Sequence, residues 1–311
     1  MIGASAQVES SHSAIAKIRK PPGRVWPGWI PVILLPLAVA AFRPALPPWI
    51  FMWALAFAIF LASKWAMWWR QRRDGLAIGV AGTLAYFFLW PGMDPRPFAG
   101  APSATARPSL WEWTQAIGNM LVGVALFWGV ARRLVPRHDL FAGWVGMAGL
   151  VLMLHFGTFH ISSLLWRCAG VNAEPIMRKP LRASSLSDFW GRRWNMEFRE
   201  LSHGLVFEPV RKLAGIGTAT FAAFLASGLI HDFVISFPAR GGYGLPTAYF
   251  VIQGVGVLIE RSGLGRALHL DRGVGARIFS FAFVLTPLPR LFHGTFVREV
   301  ILPMMRHLHA I

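Results

Sequence analysis

Charge is scarce in this chain of 311 residues. Only 14% of them are Asp, Glu, Lys or Arg, while 55% are hydrophobic. That balance excludes an ordinary soluble domain and points to a polytopic membrane protein. Cysteine is all but absent: Cys168 stands alone, which excludes an intrachain disulfide and a cysteine-rich metal site, and it reads as a small packing residue. No serine nucleophile elbow, Walker loop or dinucleotide fingerprint occurs, so the soluble chemistries those motifs carry are removed. Acidic residues are also few, 14 against 31 Lys and Arg, for a formal charge of +17. In a soluble protein such a balance suggests nucleic acid. Here the basic residues fall between apolar runs, where they orient membrane helices and meet anionic headgroups, so nucleic acid is set aside. A basic loop can still receive an anionic soluble substrate.

Hydropathy predicts about eight spans, near 28–44, 49–69, 76–91, 115–131, 143–166, 214–236, 245–261 and 276–303, the last broken around Pro287 and Pro289. The expectation is therefore an all-α integral membrane fold, a polytopic helical bundle forming one domain over residues 1–311. Residues 1–27 make a basic N-terminal segment with Lys17, Arg19, Lys20 and Arg24. Although Ala38-Val39-Ala40 resembles a signal cleavage site, the spans that follow favour an uncleaved first helix with its basic end inside. From that start, the Lys64-to-Arg73 cluster and Arg132/Arg133 fall inside after the second and fourth spans. Counting then places the strongly basic segment 167–213 outside, against the positive-inside tendency. One segment must therefore re-enter the membrane or lie along it. Residues 108–118, with Trp111 and Trp113, are a candidate interfacial element.

Within the basic segment, "SLSDFWGRRWN" at 185–195 gathers Asp188, two tryptophans, two arginines and an asparagine. Ser185 three residues before Asp188 is a capping-box-like helix start, and Pro180 marks the loop ahead of it. In a helix, Asp188 neighbours Arg192, Trp190 neighbours Trp194 and Asn195 follows Gly191, each at i, i+4. By spacing alone the segment reads first as an interfacial amphipathic helix, its tryptophans at headgroup level and its arginines on phosphates.

The second informative stretch is "FLASGLIHDFVIS" at 224–236. Between Lys212 and Arg240 the only ionisable side chains are His231 and Asp232, deep in an apolar helix. Titratable groups there are costly and by default functional, though a histidine bonded to a neighbouring helix is the plain alternative. Thr220, Ala223, Ser227 and His231 share a face, with Gly228 beside them; small side chains there permit close helix packing or a narrow tunnel to the imidazole. Asp232, about 100° around the helix, is badly placed to orient His231, and is expected to cap a water-facing rim or to meet an arginine. His155 and His160 are five residues apart and read as packing or pore-lining groups. The pair His307 and His309 lacks carboxylate or cysteine neighbours, so no metal is expected.

Together the two stretches resemble the membrane-bound O-acyltransferase superfamily and, within it, the wax synthase (long-chain-alcohol O-fatty-acyltransferase) branch. The family pairs a loop close to S-L-x-D-F-W-G-R-R-W-N with a later helix carrying S-G-x-x-H-E. This chain has Ser185 to Asn195, then Ser227-Gly228-Leu229-Ile230-His231-Asp232, with Asp232 where Glu is usual. The resemblance runs weakly into the next helix through Gly254 and Glu260, with Gln253 where plant members tend to have His, and covers residues 175–300.

The resemblance implies an internal acyl-transfer tunnel, with acyl-CoA as co-substrate and no further cofactor. It implies His231 as general base, typically worth ~10² to 10⁴ in rate, and Asn195 as the group that orients the thioester or donates to its oxyanion. Arg192 and Arg193 become candidates for CoA phosphates, one of them otherwise pairing with Asp188. Trp190 and Trp194 stack on adenine or, preferably, anchor the loop; Asp188, Ser227 and Gly228 complete the expected substrate-binding set. The implied partners are acyl-CoA, a hydroxylated lipophilic acceptor and membrane lipids. Two alternatives stand beside this reading. One is an O-acyltransferase using a short donor or a sterol, glycolipid or secondary-metabolite acceptor; the other is a non-catalytic lipid-binding or transport protein on the same scaffold. The arginine-over-lysine bias suggests a bacterial plasma membrane.

Overall fold

The structure is a computed structural model that describes residues 28–100, 107–135 and 137–311; the basic segment 1–27 lies outside them. Every regular element among the described residues is helical. The longer ones are, in chain order, α1 (Ile30–Ala41), α2 (Pro48–Arg73), α3 (Val80–Leu89), α4 (Leu110–Leu134), α5 (Asp139–Cys168), α6 (186–193), α7 (Met196–Ala239), α8 (Leu245–Arg261), α9 (Gly273–Leu285) and α10 (294–307). Among the described residues five segments are long and apolar enough to cross a membrane: α2, α4, α5, α7 and Gly273–Leu291, which holds α9. The protein is thus a multi-pass helical membrane protein. Of the eight runs expected, 28–44 and 76–91 form only short helices, and 245–261 forms the 17-residue α8. The run 276–303 is broken where expected, with α9 ending at Leu285 ahead of Pro287.

Helix ends follow local chemistry. Pro48 occupies the first turn of α2, where its missing N–H is no loss, and Arg70, Arg72 and Arg73 fill the last turn, complementing the dipole. Ser109 and Glu112 form a complete capping box at the start of α4. Because that helix then continues to Leu134, Trp111 and Trp113 belong to its first turn and not to a separate interfacial element. α7 bends where Gly215 takes φ 80, a value open to glycine.

Contacts between helix ends resolve the topology. At one end Trp49 packs its ring on His307 at 4.9 Å. Beside it, Trp128 Nε1 donates to the Leu308 carbonyl and Arg132 to that of His309. The start of α2, the end of α4 and the chain terminus therefore share this end. At the other, Arg167 of α5 pairs with Glu112 of α4 at 2.6 Å, and Ser162 and Trp166 of α5 donate to the Leu89 carbonyl.

α3 makes the two descriptions agree. Its ten residues span about 15 Å, half of a ~30 Å hydrocarbon core. Where it ends, Lys64 Nζ donates to the carbonyls of Trp90 (2.8 Å) and Gly92 (2.7 Å). Lys64 lies nine residues, or about 13 Å, inside the Arg73 end of α2. The chain thus dips to that depth and returns to the same end to begin α4. Treating 76–91 as a full span inverts everything after it. With α3 re-entrant, the basic segment 167–213 lies at the Arg70–Arg73 end, as the positive-inside tendency asks, and Arg132 lies opposite. The expected grouping of Arg132/Arg133 with the Lys64-to-Arg73 cluster is corrected accordingly. Lys64 itself leaves that cluster, being fully buried with its ammonium 3.8 Å from the Tyr86 ring centroid.

Candidate active site

α6 is built by caps. Ser185 Oγ accepts the Asp188 N–H, and the Glu260 carboxylate of α8 accepts the N–H groups of Leu186 (2.6 Å) and Ser187 (3.2 Å). Asp188 binds back to the Ser184 N–H, and its two oxygens take Arg192 Nε at 3.0 Å and Arg193 Nε at 2.6 Å. Both arginines pair with it, where one was expected. Burial alone pushes the Asp188 carboxyl up. The Arg193 hydrogen bond, the Ser184 N–H and the two guanidinium charges outweigh that and hold it below the ordinary carboxylate range.

The helix expected to run on to Asn195 stops at Arg193, closed by a wide turn in which the Trp194 N–H donates to Phe189 O. Trp190 and Trp194 therefore do not pair at i, i+4, and both are engaged within the protein. Trp194 stacks on Phe189 (5.5 Å, 14°) and lies 6.3 Å from the His155 ring; Trp190 donates to Gln253 Oε1, whose amide donates to Phe283 O. The stops are aromatic packing and a buried amide, both inward. Asn195 then adopts φ 43, ψ 65, a left-handed conformation that asparagine tolerates, and caps α7 by accepting the Phe198 N–H at Oδ1. Only an oxygen can accept that N–H. The amide nitrogen Nδ2 is left as a donor without a partner among the described residues.

His231 is oriented from its own helix. Its Nδ1 lies 2.7 Å from the carbonyl oxygen of Ser227, one turn back. A carbonyl only accepts, so the neutral ring carries its proton on Nδ1 and presents the Nε2 lone pair outward. The ring packs on Phe250 at 4.4 Å. Asp232 meets no arginine among the described residues; at a partly exposed position, as expected of a rim cap, its oxygens accept the N–H groups of Gly244 and Thr247 and the Thr247 hydroxyl, capping α8. Gly228 serves that same junction. A Cβ there would stand 2.8 Å from the Thr247 Cα, so the residue allows α7 and α8 to touch and does not face substrate space.

Two cavities meet at these residues. One, of about 550 Å³ and mostly apolar, is lined by Thr220, Ala223, Ser227 and His231 from one face of α7, by Asn195, and by Trp190 and Trp194. The shared face read from spacing is thus the cavity wall. The other, of about 950 Å³ and polar, is lined by Arg192, Arg193 and Asp188. Arg96, Arg178 and Arg199, which sequence reasoning passed over, join them there. Gly191, Glu197 and Arg199 line both cavities and form the wall between them. Glu197 is held by the N–H groups of Met93 and Asp94 on the re-entrant loop. The hydrophobic periodicity of 196–239 carries no sign of that contact, which is made by sequence 100 residues away.

The arrangement supplies an oily chamber that holds the Nε2 of His231 and the amide donor of Asn195, beside a water-facing chamber rich in guanidinium groups. Residues 173–252, which contain both stretches, match the sequence model of the membrane bound O-acyl transferase family. The chain is 32% identical over 149 residues to a probable long-chain-alcohol O-fatty-acyltransferase 9 of Arabidopsis thaliana, covering 44% of each chain. It is 33% identical over 129 residues to a long-chain-alcohol O-fatty-acyltransferase of Simmondsia chinensis, covering 37% of this chain and 36% of that one. An acyl-CoA–sterol O-acyltransferase 1 of Arabidopsis thaliana is 35% identical over 74 residues, 22% of this chain and 21% of its own. In these three alignments the chain spans less than half the length of the relative it matches. The match to the membrane bound O-acyl transferase family thus covers the segment that holds Asn195 and His231.

Proposed function

We propose that the protein is an acyl-CoA-dependent O-acyltransferase of the membrane, which moves a fatty acyl group onto the hydroxyl of a lipophilic alcohol. The observation that carries the reading is the pairing of His231 Nε2 and Asn195 Nδ2 on one apolar cavity, each freed for substrate by a bond its other polar atom makes within the protein. His231 Nε2 takes the hydroxyl proton as the alcohol oxygen attacks the thioester carbonyl. Asn195 Nδ2 donates to the oxyanion that forms, without adding a charge. Collapse re-forms the carbonyl, breaks the C–S bond and releases the CoA thiolate, which takes the proton back from His231. The acyl chain occupies the apolar cavity and the CoA head the polar one, where Arg192 is largely exposed and keeps donors beyond its Asp188 contact. The passage between Gly191, Glu197 and Arg199 is then the tunnel through which the thioester reaches the chemistry. Trp190 and Trp194 shape the chamber, since their rings are engaged by protein partners.

The acceptor named for most of the relatives is a long-chain alcohol, and the apolar lining suits one; the sterol-acylating relative keeps a sterol as the second reading. The relatives named above are plant proteins and lend no support to a bacterial plasma membrane. The test is ester formation by purified protein in lipid vesicles supplied with labelled palmitoyl-CoA and a panel of alcohols and sterols. Parent protein forms ester and His231→Ala does not. A His231→Ala protein as active as the parent removes the general-base assignment, and binding of lipid without turnover by any donor favours a non-catalytic scaffold.

A further inference from the structure

Two further imidazoles line the apolar cavity, that of His203, whose Nε2 lies 3.5 Å from Glu208, and that of His155. His155, midway along α5, shares it with His231 and Asn195, and its ring lies 6.3 Å from that of Trp194, the residue before Asn195. The Nδ1 of His155 is buried without an aligned hydrogen-bond partner. The backbone group that interacts with this imidazole is the carbonyl of Val151, four residues back and just ahead of the wide turn Leu152–Thr158. In a helix such a carbonyl stands on the Nδ1 side of the ring, as that of Ser227 does at His231. A carbonyl beside Nδ1 favours the tautomer with the proton there, as at His231, because two lone pairs facing each other repel. The Nε2 lone pair of His155 then has no partner among the described residues, in a chamber whose walls are mostly apolar. The buried unpaired atom of this ring is Nδ1, so Nε2 is the nitrogen that the chamber can reach. An acceptor nitrogen in such a chamber asks for a donor brought in by the ligand.

The donor is not the reacting hydroxyl, whose single proton goes to His231. We propose that His155 Nε2 accepts a hydrogen bond from a second donor on the acyl acceptor, so that the preferred acceptor is a long-chain alcohol carrying a further hydroxyl near the reacting one, a diol or a partial glyceride. This rests on the acyl-transfer reading of the cavity and narrows its acceptor class. A site built to bond a substrate hydroxyl discriminates against the analogue that lacks it, since the protein atom is then left unpaired.

The test is binding, read apart from turnover. Tritiated hexadecan-1-ol bound to the purified parent protein is displaced by hexadecan-1-ol, by hexadecane-1,2-, 1,3- and 1,4-diols, and by the monomethyl ethers of those diols, which cannot donate from the second oxygen. At least one diol binds about five- to tenfold more tightly than the mono-alcohol and its own ether, the worth of one net hydrogen bond. In His155→Phe that preference disappears. Equal affinity of the parent for the mono-alcohol and every diol overturns the proposal without any variant, and so does a His155→Phe protein that keeps the preference. Ester formation from palmitoyl-CoA, measured on the same preparations, separates the two readings. Diol preference without ester formation sinks the acyl-transfer assignment alone. Ester formation without diol preference sinks this inference alone.

Discussion

Asn195 is asked to do two things with one side chain, and substitutions divide them. Oδ1 caps α7 through the Phe198 N–H, the backbone sits at φ 43, and Nδ2 faces the cavity. Asn195→Ala loses the cap, worth about 1 kcal/mol, and adds roughly 1–2 kcal/mol for a Cβ residue without a stabilising side chain in the left-handed region. Its stability falls by about 2–3 kcal/mol, so lost activity there proves little. Asn195→Gly replaces the cap at a cost of only a few tenths of a kcal/mol and relieves the backbone, leaving stability within about 1 kcal/mol of the parent. Asn195→Asp keeps the acceptor oxygen and the left-handed tolerance but exchanges the Nδ2 donor for an anionic oxygen. Removing one oxyanion donor costs about 10² to 10³ in kcat. Both variants are therefore expected to unfold near the parental temperature and to make ester at or below about one hundredth of its rate. The measurements are thermal unfolding in detergent and kcat with labelled palmitoyl-CoA and hexadecan-1-ol. An Asn195→Asp or Asn195→Gly protein that retains a tenth of the parental kcat refutes the oxyanion role and leaves Asn195 as a helix cap only.

Lys64→Met strands the Trp90 and Gly92 carbonyls inside the bundle and removes a bonded ammonium, so stability falls by at least about 3 kcal/mol; an unchanged unfolding temperature would show that the re-entrant turn is held by other means. Gly228→Val drives a side chain into Thr247 and parts α7 from α8, a loss of about 1–3 kcal/mol with reduced turnover, checked by unfolding and ester formation together. Arg192→Ala is expected to raise KM for acyl-CoA more at low salt than at high salt while Arg193 continues to hold Asp188, because the exposed guanidinium acts through screened charge. A salt-independent KM equal to the parent's would take Arg192 out of the polar cavity's function.

What the sequence makes legible follows from where a residue is unusual for its surroundings. His231 and the cluster at 185–195 stand out because ionisable and aromatic-basic groups are rare in an oily chain. The face formed by Thr220, Ala223, Ser227 and His231 is readable because helical spacing alone decides which side chains share a wall. The unread features depend on length or on distant partners. Hydropathy sees 76–91 as apolar but does not weigh its ten helical residues against the width of a bilayer, so α3 passes for a span and the sign of every later loop is reversed. The violation of the positive-inside tendency at 167–213 was already the trace of that error. Asp232 is readable only in part: a capping role is expected of it, but the N–H groups it satisfies lie more than ten residues ahead, where spacing on its own helix does not point. Lys64 looks like one of four basic residues at a helix end, while its depth is set by a loop it closes. These capping and closing contacts bear directly on the chemistry. Asp232 fixes the start of α8, Glu260 at its other end caps α6, and α6 delivers Asn195 to the start of α7, which carries His231. The two groups proposed to act on one thioester are thus joined through a closed circuit of helix caps. A change at either carboxylate is expected to disturb the Asn195–His231 pairing from outside the cavity.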